Sequence, residues 1–292
     1  MSDQISYAVE TAGLSGRRTL ALDAAGEGTA ILVEVTTREM VDTWSRARAV
    51  VSSTGRWPIL LTSPGPALDW PETFVRADPF SRWPYDGEKP SELIRRAKQV
   101  DIERHIEELM APRRTLLDEE GESRLRSERG KTDWACGAAP GEEELRQIYK
   151  AQGDIGLQRH LLAWEMARGC KVDLRYQDWF TPPWQVALAL LPAGDPWNTY
   201  AYVHTLFEAD HAMLVSAARR WHERYGAEPV AAFGTVAQLL VGKRPEGQED
   251  ALRLAVEHVS LAIDTIGPPG IALRWHAQAL LQLDRWQLHR RP

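Results

Sequence analysis

Cysteine is nearly absent: Cys136 and Cys170 are the only two in 292 residues. Two cysteines make neither a disulfide framework nor a zinc site by themselves. No apolar run approaches the roughly 18 residues that a membrane-spanning helix needs. The opening stretch MSDQISYAVETAG lacks a charged-then-apolar leader, so a soluble cytoplasmic chain is expected. Basic residues are outnumbered by acidic ones, 35 to 41, for a net charge of −6. That balance disfavours a nucleic-acid partner, which calls for a basic face. Nucleophile and cofactor signatures are missing too. There is no Gly-x-Ser-x-Gly elbow, no Walker loop and no dinucleotide fingerprint, and Gly26-Glu27-Gly28 is too short to count. A conventional cofactor enzyme is therefore disfavoured, and no cofactor is expected.

What the chain does have is a globular composition, 43% hydrophobic and 26% charged, which excludes wholesale disorder. It also has twelve tryptophans, residues suited to cores and to recognition surfaces alike. Its prolines cluster between Trp57 and Pro90, which reads as an irregular connection pinned by aromatics.

The pattern predicts an α+β fold of mixed sheets with packed helices. Apolar runs bounded by turn residues predict strands at Ile31–Val35, Trp57–Leu61, Val186–Leu191, Tyr202–Phe207 and Pro229–Phe233. Thr19–Leu22 and Val236–Val241 read as further strands. Helical spacing covers Met40 to Val51, Ser91–Met110, Gly141 to Tyr149, Leu157–Arg168, Ala209–Tyr225, Gln248–Ile263 and Ile271–Leu283. Residues 111–133 carry mixed charge and read as a linker or exposed helix. They separate an N-terminal α+β region, 1–110, from a C-terminal α+β domain, 134–292. An offset of 171 superposes Ala47, Arg48, Gly55, Pro58 and Ile59 on Ala218, Arg219, Gly226, Pro229 and Val230. A duplicated strand–helix–strand unit is one reading of that echo.

Groups able to carry chemistry are few. His204, Glu208, Asp210 and His211 form the most metal-like cluster. The expected strand-to-helix turn would aim them in several directions, so no metal site is predicted. Glu165 lies among Leu162, Trp164 and Met166, where a partly buried carboxylate would have a raised pKa; an ordinary exposed Glu is the alternative. Glu165, His204, Glu208 and His222 are the candidate catalytic residues. Trp70, Trp83 and Trp197 are candidate binding residues.

The run Trp221-His222-Glu223-Arg224-Tyr225-Gly226-Ala227-Glu228-Pro229-Val230 precedes Gly234, a strand to Val241, the Arg244-Pro245 turn and a helix from Glu249. Together with Gln177-Asp178-Trp179-Phe180, Val186–Pro192 and Thr54–Leu61, it resembles the domain-of-unknown-function family 4253. The resemblance covers about Val186 to Trp286. The chain departs from it at Val259–Asp264 and in a less aromatic final strand. The resemblance implies a fold unit and a bacterial source, and it brings no activity and no catalytic residues. An acidic, Trp-rich chain without a catalytic motif reads as a protein-binding protein, of immunity type or otherwise, with a basic protein as partner. The alternative is a hydrolase or transferase using carboxylates and histidines of the C-terminal half.

Overall fold

The computed structural model describes residues 3–63, 69–77, 79–80, 88–112, 117–206, 209–268 and 270–291. In chain order it begins with α1 (Asp3–Thr11), β1 (Thr19–Asp23), β2 (Thr29–Val35), α2 (Met40–Ala49), α3 (Val51–Thr54) and β3 (Trp57–Thr62). There follow α4 (Trp70–Ala77), α5 (Pro90–Ala97), α6 (Ile102–Met110), α7 (Glu119–Cys136), α8 (Glu142–Ala167) and β4 (Val186–Leu191). The chain ends through α9 (Thr199–Tyr202), α10 (His211–Tyr225), β5 (Glu228–Phe233), β6 (Val236–Leu240), α11 (Gln248–Leu261), α12 (Leu273–Gln282) and β7 (Arg285–His289). This is an α+β fold. Among the described residues no helix is long and apolar enough to cross a membrane.

Two compact units are present, and both are discontinuous. A sheet unit comprises 1–100, 179–243 and 285–292; a helical unit comprises 101–178 and 244–284. The expected partition at 111–133 is corrected by the sheet itself. Its order is β1-β2-β4-β3-β5-β6-β7, so β4 from the C-terminal half is hydrogen-bonded between β2 and β3 of the N-terminal half. No cut at 111–133 can separate them. Within 111–133, α7 is a helix whose Leu125, Glu128 and Thr132 are buried.

In the sheet unit, β4 is buried at all of its positions, as a strand covered on both faces should be. Ile31, Val33, Leu60, Leu188, Leu190 and Val230 share a core with Trp44 of α2 and residues of α1. Helix α10 lays Trp221 and Tyr225 edge-on against Trp286 of β7, with ring centroids 6.2 and 5.7 Å apart.

The echo has a physical basis. Strands β3 and β5 are parallel neighbours paired as Leu60–Ala231 and Leu61–Ala232, the same offset of 171. Each strand follows a helix that ends at a left-handed glycine, Gly55 at φ 65° and Gly226 at φ 61°. Each carries a proline whose carbonyl accepts an indole N–H: Trp44 Nε1 donates to Pro58, and Trp57 Nε1 to Pro229.

Three further expectations are corrected. Tyr202–Phe207 is no strand: Tyr202 closes the turn of α9, Leu206 has φ 51°, and Leu206 N–H donates to Gly234 O at the β5–β6 turn; Phe207 lies outside the described residues. The positive φ stops extended pairing. The connection expected between Trp57 and Pro90 contains α4. The helix expected over Ser91–Met110 breaks in two, because Asp101 caps α6 by accepting from Arg104 N–H at 3.0 Å. The two helices expected on either side of residue 153 are present as the arms of α8, joined by a reversal at Gly153 (φ 68°, ψ −162°).

That reversal organises the helical unit. Glu144 and His160 meet at 3.2 Å, although sixteen residues of straight helix would hold them about 24 Å apart. The first arm of α8 runs antiparallel to α7, with Arg146 on Glu122 and Arg129 Nε donating to Pro140 O. The second arm runs parallel to α7, joined by Thr132–Glu165 and by a Cys136–Cys170 disulfide. The two cysteines, expected to form no framework, are thus paired.

Candidate functional site

Glu165 is fully buried on the second arm of α8. Its Oε1 accepts from Thr132 Oγ1 and Arg274 Nε, each at 2.7 Å. Its Oε2 accepts from Trp275 Nε1 at 3.0 Å and Gln278 Nε2 at 2.9 Å. Arg274, from α12, is fully buried as well. Its Nη1 donates to Glu128 Oε2 and to Gln158 Oε1, and its Nη2 to Glu128 O and Thr132 Oγ1. With Nε on Glu165, all five N–H groups of the guanidinium are used. Burial pushes Glu128 up, but Arg274 and Lys131 outweigh it and hold the carboxyl below its ordinary range. Asp154, just past the Gly153 reversal, is raised by burial, with Glu128 adding to the effect against Arg124. The centre is two carboxylates locked on one arginine. A carboxylate already accepting four hydrogen bonds has nothing left to offer a reacting proton.

A second chain of polar groups links Tyr176 to α12 and α11. Tyr176 Oη and His276 Nδ1 are 2.9 Å apart, and His276 Nε2 and His258 Nδ1 are 3.2 Å apart. Burial lowers both imidazoles, His276 to about 3, so the rings are neutral at pH 7.

The other catalytic candidates belong to the sheet unit. His204 follows α9 and stacks on His211, the first residue of α10, with centroids 5.4 Å apart. Asp210 is the cap of that helix, accepting from Ala212 N–H at 2.9 Å, and it also faces Arg96. His222 lies against Trp197 at 5.1 Å and within 3.1 Å of Ala227 O through Nδ1. Glu208 and Trp83 lie outside the described residues. The candidates therefore form separate groups: Glu165 with Arg274, His204 with His211, and His222 with Trp197. Among the described residues no group of three or more His, Cys, Asp or Glu is placed to hold a metal ion.

Trp70 is corrected from a binding candidate to a core residue. It is 2% exposed, packs on Phe74 and donates its indole N–H to Val186 O at 3.4 Å. Among the described residues the exposed tryptophans are two that the sequence did not single out, Trp134 at 75% and Trp184 at 43%. Trp184 lines an open groove of about 550 Å³ with Thr36, Thr37, Pro182, Pro183 and Gln185. Hydrogen bonds anchor Gln185 and, four residues before Trp184, Phe180. Gln185 O accepts from Thr62 Oγ1 at 3.0 Å, Phe180 N–H donates to Gln287 Oε1 at 2.9 Å, and Gln238 Nε2 donates to Phe180 O at 3.3 Å. The Pro182-Pro183-Trp184 run beside VALALL was the available signal; read only as a strand boundary, it gave no hint of a surface.

Residues 187–289 match the family model described as Domain of unknown function (DUF4253). The matched stretch runs from β4 to β7 and contributes Arg274, His258 and His276, whereas Glu128, Gln158 and Glu165 precede it. No curated protein and no solved structure matches the chain.

Proposed function

We propose that the protein acts by binding another protein through the Trp184 groove. The observation that carries this reading is a half-exposed tryptophan beside two prolines in an open groove whose Gln185 carbonyl is held by Thr62. Prolines and a rigid indole lose little conformational freedom on contact, which favours affinity. An open groove with a tryptophan and two prolines on its wall suits an extended peptide segment. The net charge of −6 would speed the approach of a basic protein, and capping such a partner is an immunity-type role.

The test is copurification with the protein from cells that make it, then titration of the captured partner. Trp184→Ala should weaken binding by about 30-fold or more, as for a central aromatic anchor. Trp197→Ala should leave the affinity near the wild-type value. Unchanged affinity in Trp184→Ala would remove the groove from the account.

A further inference from the structure

We propose that the Cys136–Cys170 pair is a solvent-facing thiol–disulfide exchange site whose co-reactant is a low-molecular-weight thiol. The inference is independent of the Trp184 groove. The bond joins the last residue of α7 to the chain just beyond the second arm of α8, with Cα atoms 5.0 Å apart. Both cysteines are half-buried rather than enclosed, and their flanks are open: Gly137, Ala138, the run from Met166 to Gly169, and Lys171 are all exposed. An attacking thiolate needs such access.

The two sulfurs are not equivalent. Both lie at the C-terminal end of a helix, where the dipole disfavours a thiolate: Cys136 ends α7, and Cys170 follows α8 by three residues. Cys170, however, lies between Arg168 and Lys171 in the chain, which favours it as the departing thiolate. The thiolate of the reductant attacks Cys136 Sγ, the disulfide breaks, and Cys170 leaves as a thiolate that takes up a proton. A second thiolate attacks the reductant sulfur of the mixed disulfide and releases Cys136. One disulfide and two thiols become two protein thiols and one oxidised disulfide of the reductant; the small disulfide reverses the sequence.

The bond closes the end of α7 that presents Trp134, whose ring lies 6.1 Å from that of Trp275. Thr132 and Glu165, one turn inside the two cysteines, remain joined by their own 2.7 Å hydrogen bond. Reduction should therefore free the last turn of α7 and Trp134 while the Arg274 centre holds.

The full chain, purified without reductant, would be treated with millimolar reduced glutathione in native buffer, quenched with N-ethylmaleimide and weighed intact. Two labels should appear at a rate proportional to glutathione. Acid-quenched samples should carry the mixed disulfide on Cys136. Hydrogen exchange should quicken by about tenfold around residues 132–138 and 165–172, with the rest of the helical unit unchanged. A bond that resists until denaturant is added overturns the proposal. Loss of protection across 101–178 would also overturn it, because the bond would then be a staple for the whole unit. A mixed disulfide on Cys170 would overturn the assigned direction of attack.

Discussion

The sheet unit and the helical unit solve the same problem with different materials. The sheet unit is built around aliphatic and aromatic side chains, with the Trp44 and Trp57 indoles donating to strand carbonyls and with buried polar side chains such as Arg220, His211 and Gln238 among them. Among the described residues, the three buried glutamates, Glu128, Glu165 and Glu257, all lie in the helical unit, as does the fully buried guanidinium of Arg274. Apolar contacts are non-directional and degrade by degrees when one is lost. A buried ion cluster is stable only when every partner is present, because each desolvated charge left alone is costly. The sheet unit is thus specified by pattern and the helical unit by particular partners.

The largest expected effect tests that contrast directly. Arg274→Met leaves Glu128 and Glu165 without their cation and should cost about 3–5 kcal/mol. Trp221→Ala, which removes a fully buried indole from the sheet unit, should cost a similar amount, about 3–5 kcal/mol. The two differ in how they can be rescued. Adding Glu128→Leu and Glu165→Leu to Arg274→Met should recover most of the loss, since a fully apolar replacement of a buried ion cluster is often neutral. No charge removal should rescue Trp221→Ala. Urea midpoints of the four proteins, wild type included, decide the matter; a triple variant weaker than Arg274→Met alone would break the comparison.

Acid should separate the units next. His258 and His276 are buried and neutral, held below their ordinary pKa of 6.5, with His276 near 3. In the unfolded chain both rings protonate near pH 6.5, while in the fold they do not. Their contribution is therefore complete above pH 6.5 and is lost as the pH falls toward the folded values. By pH 5 the loss from His276 should reach about 2 kcal/mol, with His258 adding in the same direction. Glu128, with its lowered pKa, adds to the acid loss further down, and Asp154, with its raised pKa, opposes it. Hydrogen exchange between pH 7 and 5 should show α11 and α12 losing protection before β2, β3 and β4. A His258→Leu/His276→Leu protein should flatten the slope; equal acid sensitivity in both units would erase the distinction.

The same contrast governs what was legible in the sequence. Strands β2, β3, β4 and β5 were readable because a buried strand must be an unbroken apolar run, whatever its neighbours. The helix–Gly–strand echo was readable because each left-handed turn uses glycine. Glu165 could be singled out from its apolar neighbours, yet its partner Arg274 lies 109 positions away. Nothing in local periodicity links such a pair. Charges on α7 read as a solvated face when one of them, Glu128, points inward. The two arms of α8 were readable as separate helices from their spacing, but nothing in that spacing gives the direction of the second arm after Gly153. Trp184 was overlooked for the opposite reason: exposure is set by the packing around β4, and a sequence does not reveal which indole that packing leaves out.

Gly153 offers the finest test of whether the helical unit is held by particular residues. Its φ of 68° with ψ of −162° falls where only glycine is comfortable. Gly55, in the sheet unit, has φ 65° and ψ 17°, a left-handed helical conformation that other residues reach at modest cost. Gly55→Ala should therefore cost about 1 kcal/mol, and Gly153→Ala about 1–3 kcal/mol. The second variant has little room to relax. A Cβ added at the neighbouring Gly156 would already clash with Gln152, so the two arms are in close contact at the bend. Straightening them would part Glu144 from His160 and draw Arg146 away from Glu122. Exchange protection over 142–152 should fall in Gly153→Ala and stay unchanged in Gly55→Ala. If the two alanines cost the same and leave 142–152 protected, the reversal is imposed by the packing around it, and the helical unit depends on pattern as much as the sheet unit does.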